Sequence, residues 1–162
     1  MMSRRIRTRQ WSSGWRRRVI VGLATVALIA MAAPAFAKDP LFTSGGLALS
    51  GYDAVAYFSD GKPVKGRPEF ETQWGGARWQ FGSAANRDAF VKSPDRYAPQ
   101  YGGYCAYAVS KGYTASADPM VWRVVDEKLY LNYSKNVQGL WVQDIPGNIN
   151  KANGNWPAVL AK

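Results

Sequence analysis

The chain has no histidine and only one cysteine, Cys105, in 162 residues. Without imidazole there is no Ser-His or Cys-His couple, no histidine base and no histidine ligand for a metal. One thiol cannot close an intrachain disulfide. The glycine motifs that cradle phosphates are missing, as are low-complexity tracts and any repeat of solenoid length. Acidic residues are absent before Asp39. These gaps leave little catalytic machinery and favour a binding domain over an enzyme.

The acid-free start is strongly basic. Arg4, Arg5, Arg7, Arg9, Arg16, Arg17 and Arg18 precede an apolar run from Val19 to Ala33, then Pro34-Ala35-Phe36-Ala37. That order is the n-region, h-region and small-residue cleavage site of a secretory signal. The run is shorter than the roughly 18–20 residues that span a bilayer, and no cysteine stands at the cleavage point for lipid attachment. Residues 1–37 are therefore expected to be a cleaved signal peptide that delivers a periplasmic protein with no stable membrane anchor. Arg16-Arg17-Arg18-Val19-Ile20 fits a twin-arginine signal, and it fits the basic n-region of the general secretory (Sec) route equally well. The leader also carries most of the formal +10 charge; the other 125 residues hold 14 basic and 11 acidic side chains, a net of +3. No basic cluster with interleaved aromatics remains, so nucleic acid is not an expected partner.

Those 125 residues suffice for one domain, because a chain of that size buries roughly 65–70% of its unfolded surface and needs no disulfide to hold a core. Residues 38–46 read as a flexible lead-in, with a single domain over 47–162 that includes C-terminal helices. Leu47-Ala48-Leu49-Ser50 suggests a short strand, and Asp53 to Phe58 either a strand or one helical turn. Phe70, Thr72 and Trp74 alternate with Glu69, Glu71 and Gln73, and after Gly75-Gly76 the alternation resumes through Ala77, Trp79 and Phe81. That is the pattern of a β-hairpin. Ser83 is an N-cap for a helix reaching Lys92, with Phe90 inward. A second hairpin is expected around Asp126-Glu127. A helix capped by Ser134 then presents Val137, Leu140 and Trp141, and one capped by Asp144 presents Ile145, Ile149, Ala152 and Trp156. The fold class is α+β with mostly antiparallel pairing.

Unusual chemistry concentrates in Tyr101-Gly102-Gly103-Tyr104-Cys105-Ala106-Tyr107. Two glycines permit close backbone approach and three tyrosines ring the sole thiol. Cys105, Tyr101, Gly102, Gly103, Tyr104 and Tyr107 are therefore candidate ligand-binding residues. The bland alternative is a small buried residue beneath rings, since free cysteine is among the most buried types. Tyr52 and Asp53 form a second candidate. The carboxylate either anchors a ligand amine, a metal or a buried arginine, or bonds its own backbone in a turn.

Three longer runs stand out: Leu49-Ser50-Gly51-Tyr52-Asp53-Ala54-Val55-Ala56-Tyr57-Phe58, Phe81-Gly82-Ser83-Ala84-Ala85-Asn86-Arg87-Asp88-Ala89-Phe90, and Pro94 through Tyr107. Trp122-Arg123-Val124-Val125-Asp126, Leu129-Tyr130-Leu131-Asn132, Asp144-Ile145-Pro146 and Asn155-Trp156-Pro157 follow. With these, the chain past its leader resembles exported YHS-domain proteins over nearly its whole length. The resemblance implies a small treble-clef-like domain of antiparallel hairpins and a few short helices. It also implies a link to metals, since metal-type members carry cysteine ligands at positions that fall near Ala56, Gly82 and Asn86 here. None of the three is a thiolate, and a tetrahedral site needs several nitrogen or sulfur ligands, so that site is not expected to carry over. The expectation is a non-enzymatic periplasmic domain holding a small ligand, or a metal ion or haem, in an aromatic pocket around Cys105. A thiol-dependent enzyme or redox sensor using Cys105 is one alternative, and a module that binds another periplasmic protein is the other.

Overall fold

Local sequence chemistry sets the elements of residues 38–162, which a computed structural model describes; the expected signal peptide at 1–37 lies outside the described residues. The fold is α+β. β1 (Thr43–Ser44) and β2 (Leu47–Ala48) form a small antiparallel pair, and a three-ten turn at Leu49–Gly51 leads to the short helix α1 (Ala56–Ser59). β3 (Arg67–Trp74) and β4 (Ala77–Phe81) are the expected first hairpin. Gly75 and Gly76 close it at φ 61° and 83°, the left-handed values that a tight two-residue turn needs to match strand twist. The four strands lie in the order β1-β2-β4-β3, with β2 parallel to β4.

Serine and aspartate start the longer helices. α2 (Ala84–Lys92) is capped by Ser83, whose Oγ accepts from the N–H of Asn86 at 3.2 Å. Two short helices follow, α3 (Pro94–Tyr97) and α4 (Ala106–Ser110). β5 (Asp118–Val125) and β6 (Lys128–Asn132) make the second hairpin. Ser134 then caps α5 (Lys135–Trp141) through the N–H of Val137 at 3.3 Å, and Asp144 caps α6 (Ile145–Asn155) through that of Gly147 at 2.9 Å. Each cap satisfies an otherwise orphaned amide and stabilises its helix by about 1 kcal/mol.

The hairpins share one register. Arg67–Phe81, Glu71–Gln80 and Trp74–Ala77 in the first recur as Asp118–Asn132, Trp122–Leu131 and Val125–Lys128 in the second, always 51 residues later. Even the irregularity repeats, between Arg67 and Glu71 and again between Asp118 and Trp122.

Two apolar clusters meet at β6, where strand alternation sends successive side chains to opposite faces. Leu129 and Leu131 pack with Trp79, Phe81 and Phe90, whereas Tyr130 packs with Val109, Trp141 and Leu160.

The structure departs from the sequence expectations in two places and decides between two alternatives in a third. Leu49 and Ser50 leave the strand, turning at φ 50° and 51°. Asp53 to Phe58, read as either a strand or one helical turn, takes the helical alternative, a turn leading into α1. The segment 38–46, expected to be flexible, is a bonded strap. The N–H of Lys38 donates to the carbonyl of Leu160 (3.0 Å), that of Phe42 to Gly102 (2.9 Å), and the Tyr104 hydroxyl to the carbonyl of Asp39 (2.9 Å). Its partners lie 60 or more residues along the chain, which local composition does not reveal.

Candidate functional site

Asp53 follows the three-ten turn and precedes α1. Its side chain is 0% exposed and accepts four hydrogen bonds. Oδ1 takes the backbone N–H groups of Val55 (2.8 Å) and Ala56 (3.2 Å), which closes the turn. Oδ2 takes the N–H of Gly82 (2.8 Å) and the Asn86 side-chain amide (2.7 Å), which ties that turn to the junction of β4 and α2. Two carboxylate oxygens offer about four acceptor sites, so this node is full.

The same geometry decides the metal question. Ala56, Gly82 and Asn86, where the resemblance places cysteine ligands, each donate a hydrogen to Asp53. A Cβ built on Gly82 would sit 3.4 Å from Asp53 Oδ2, the oxygen that the Asn86 side chain also reaches, whereas Ala56 approaches Oδ1 through its backbone N–H. Both oxygens are surrounded by N–H groups, whose positive ends face a would-be cation. The residues do not fit a tetrahedral metal of the zinc type. Among the described residues, no group of three or more His, Cys, Asp or Glu side chains is placed to hold a metal.

Cys105 sits immediately before α4, and its sulfur is held from two sides. It accepts from the N–H of Tyr133 at 3.3 Å and donates to Asn132 Oδ1 at 3.7 Å. Asn132 Oδ1 also accepts from the N–H of Tyr107 at 3.3 Å, while its Nδ2 is buried with no partner among the described residues. Although Cys105 is only 1% exposed, it lines the bottom of an open groove of about 350 Å³ together with Tyr107, Ala108, Tyr113, Ala115 and Tyr133. Val137 and Leu140 of α5 complete the wall. Tyr113, Tyr133 and Leu140 are 52%, 58% and 47% exposed, so the rim is apolar and wet.

Of the eight residues singled out by sequence, the structure brings only Cys105 and Tyr107 together at this groove. Tyr101 and Tyr104 face the second apolar cluster. The Tyr101 hydroxyl donates to Asn153 Oδ1 at 2.9 Å. Burial, then the neighbouring Tyr130, pushes its ionisation above the usual phenol range; burial, then Asp39, does the same for Tyr104. Both stay protonated donors with structural partners. Gly102 lies under the strap, where an added Cβ would collide with the Pro40 carbonyl. Gly103 neighbours Pro99. Tyr52 packs beneath Lys65, whose Nζ is 4.7 Å from the ring centroid, and Asp53 belongs to its own node.

Sequence reasoning missed Ala108, Tyr113, Ala115 and Tyr133 at the groove, and read Val137 and Leu140 only as part of the apolar face of one helix. The available signal was weak: three large exposed side chains flanking one buried thiol across three elements. A reactive thiol needs an electropositive, partly exposed setting, whereas Cys105 is buried and no charged side chain lines the groove among the described residues. Haem ligation would need the sulfur face open, and that face is committed to Tyr133 and Asn132.

A family model described as the YHS domain matches residues 55–101, so this stretch is similar to YHS domains. The match contains Ala56, Gly82 and Asn86 of the Asp53 node and stops before Cys105. No curated protein and no solved structure matches the chain. No helix among the described residues is long and apolar enough to cross a membrane.

Proposed function

We propose that the chain is an exported, periplasmic binding domain that holds a small uncharged ligand with an aromatic or aliphatic body in the Cys105 groove. The observation that carries this reading is the groove's lining, which combines three tyrosines, a thiol and four aliphatic side chains, with no charged side chain among the described residues that line it. Its volume of about 350 Å³ falls within the roughly 300–1,000 Å³ of small-molecule sites. Covering Tyr113, Tyr133 and Leu140 would remove apolar surface from water, the main driving force for such binding. Cys105 contributes a polarizable floor that recognises by packing, since its hydrogen and one lone pair are already engaged. Export is supported by the basic, apolar and small-residue order of the leader.

Two measurements test the proposal. Protein purified from the periplasm should begin at Lys38, and full-length protein confined to the cytoplasm would end the export half. For the groove, the neutral fluorophore N-phenyl-1-naphthylamine should brighten on binding, and Val137→Trp should abolish that signal while the protein still melts cooperatively. Unchanged probe fluorescence, with a bare mass in native mass spectrometry, would remove the binding half.

A further inference from the structure

The shared hairpin register is one part of a longer correspondence. The strained turns before each node match residue for residue at a spacing of 52. Leu49, Ser50 and Gly51 have φ of 50°, 51° and 79°; Tyr101, Gly102 and Gly103 have 55°, 61° and 84°. Each turn is closed alike, by the N–H of Tyr52 donating to Leu49 O (2.9 Å) and that of Tyr104 to Tyr101 O (3.0 Å). Gly51-Tyr52-Asp53-Ala54-Val55-Ala56 then parallels Gly103-Tyr104-Cys105-Ala106-Tyr107-Ala108. The N–H of Asp53 donates to Val64 O (2.9 Å), and the N–H of Cys105 to Ala115 O (3.0 Å). Past the hairpins, Ser83 and Ser134 cap α2 and α5, whose inward aromatics Phe90 and Trp141 are again 51 apart. α3 and α6 begin at Pro94 and Ile145, at the same spacing. Three consecutive left-handed residues are costly outside glycine, so finding them twice, in the same frame, points to common construction.

We infer that residues 49–97 and 101–155 are two copies of one structural unit, and that Cys105 occupies in the second copy the node that Asp53 fills in the first. The family match at 55–101 covers the first copy from Val55 onward and the linker, and ends on the first residue of the second copy. At the node the copies part. Gly82 and Asn86 bond Asp53; their counterparts are Tyr133, whose N–H still reaches the node sulfur, and Val137, which has no amide to offer. The N–H of Tyr107, counterpart of Val55, turns to Asn132 Oδ1 instead of the node. Replacing an Asp-Asn pair by Cys and Val takes the polar plug out of the second copy and leaves the uncharged groove. Binding therefore resides in the second copy. That last clause rests on the proposed function, whereas the equivalence of the nodes does not.

Transplanting the plug tests both. Cys105→Asp alone buries a carboxylate with one donor and should lower the melting temperature by about 8 °C or more. Val137→Asn alone should cost about 2–4 °C. The C105D/V137N double variant restores the Asp-Asn pair, so it should recover at least half of the C105D loss and exclude N-phenyl-1-naphthylamine. In the first copy, D53C and N86V should each destabilise, and D53C/N86V should lose less than their sum. A double variant in the second copy that melts no higher than C105D overturns the equivalence. If C105D does not fold, a folded double variant is itself the recovery, and an unfolded one overturns the equivalence. Should the wild-type chain leave the probe dark, the groove reading fails while the melting comparison still decides the repeat.

Discussion

The first half of the molecule closes its centre with a carboxyl group whose acceptor sites are all filled, and the second leaves its centre with fewer bonds. Asp53 gathers donors from its own turn, from Gly82 and from Asn86, fastening three segments at one point. Cys105 engages one N–H and one side-chain amide, and nearby Asn132 Nδ2 stays unpaired among the described residues. A fully satisfied polar node specifies a rigid scaffold. An incompletely filled one leaves space beside it, at some cost in stability. The difference separates a half that holds shape from a half that offers a surface.

The comparison breaks first at the inward aromatics. Phe90→Ala and Trp141→Ala occupy equivalent places and should each cost about 3–5 kcal/mol in denaturant unfolding. Because β6 serves both clusters, each loss should appear in one cooperative transition; separate transitions would show that the halves unfold independently. Next come the nodes. Asp53→Ala strands several buried donors and should cost about 3 kcal/mol, against about 1 kcal/mol for Cys105→Ala. Equal losses would erase the distinction.

Smaller effects sharpen it. Tyr57 donates to Pro119 O at 3.0 Å, bonding the first half to β5, so Tyr57→Phe should cost about 1 kcal/mol. Burial, followed by Tyr52, Asp118 and Asp53, raises its ionisation well beyond the ordinary phenol, and Tyr101 is raised as well. The folded state then holds these protons more tightly than the unfolded chain. The associated stability is full below the unfolded value near 10 and is lost as pH climbs beyond it. Urea midpoints measured from pH 9 to 11.5 should fall, less steeply in Tyr57→Phe; a flat profile would contradict the burial of these hydroxyls. Smallest is the turn pair. Asp126 and Glu127 adopt φ 49° and 57° where the first hairpin has glycines. Glu127→Gly should gain about 0.5–1 kcal/mol, and Gly76→Ala should lose about as much.

Much of this was legible in sequence wherever the cause is local. Alternation around Gly75-Gly76, the caps at Ser83, Ser134 and Asp144, and the α+β class all follow from neighbours in the chain. The repeat was harder to read because its frame is kept by different residues. Gly75-Gly76 becomes Asp126-Glu127, Trp79 becomes Tyr130, and Phe90 becomes Trp141. Only Gly-Tyr-x-Ala-x-Ala, at 51 and again at 103, shows it directly. The groove was half visible: Cys105 and Tyr107 were named, but Tyr101 and Tyr104 turn away from it. Alternate residues around a left-handed turn and a short helix do not share a face, and Tyr113, Tyr133 and Val137 arrive from separate elements.

The strap has one more implication. It brings the amide of Lys38 to the carbonyl of Leu160 at 3.0 Å, so the two ends of the folded body are neighbours. A short peptide bridge between them would make a closed ring without moving either sheet. The chain can then be reopened at the exposed Asp60-Gly61-Lys62 turn, giving a permuted molecule that begins inside the first half and ends on that half's opening turn and helix, with the geometry of both sheets kept.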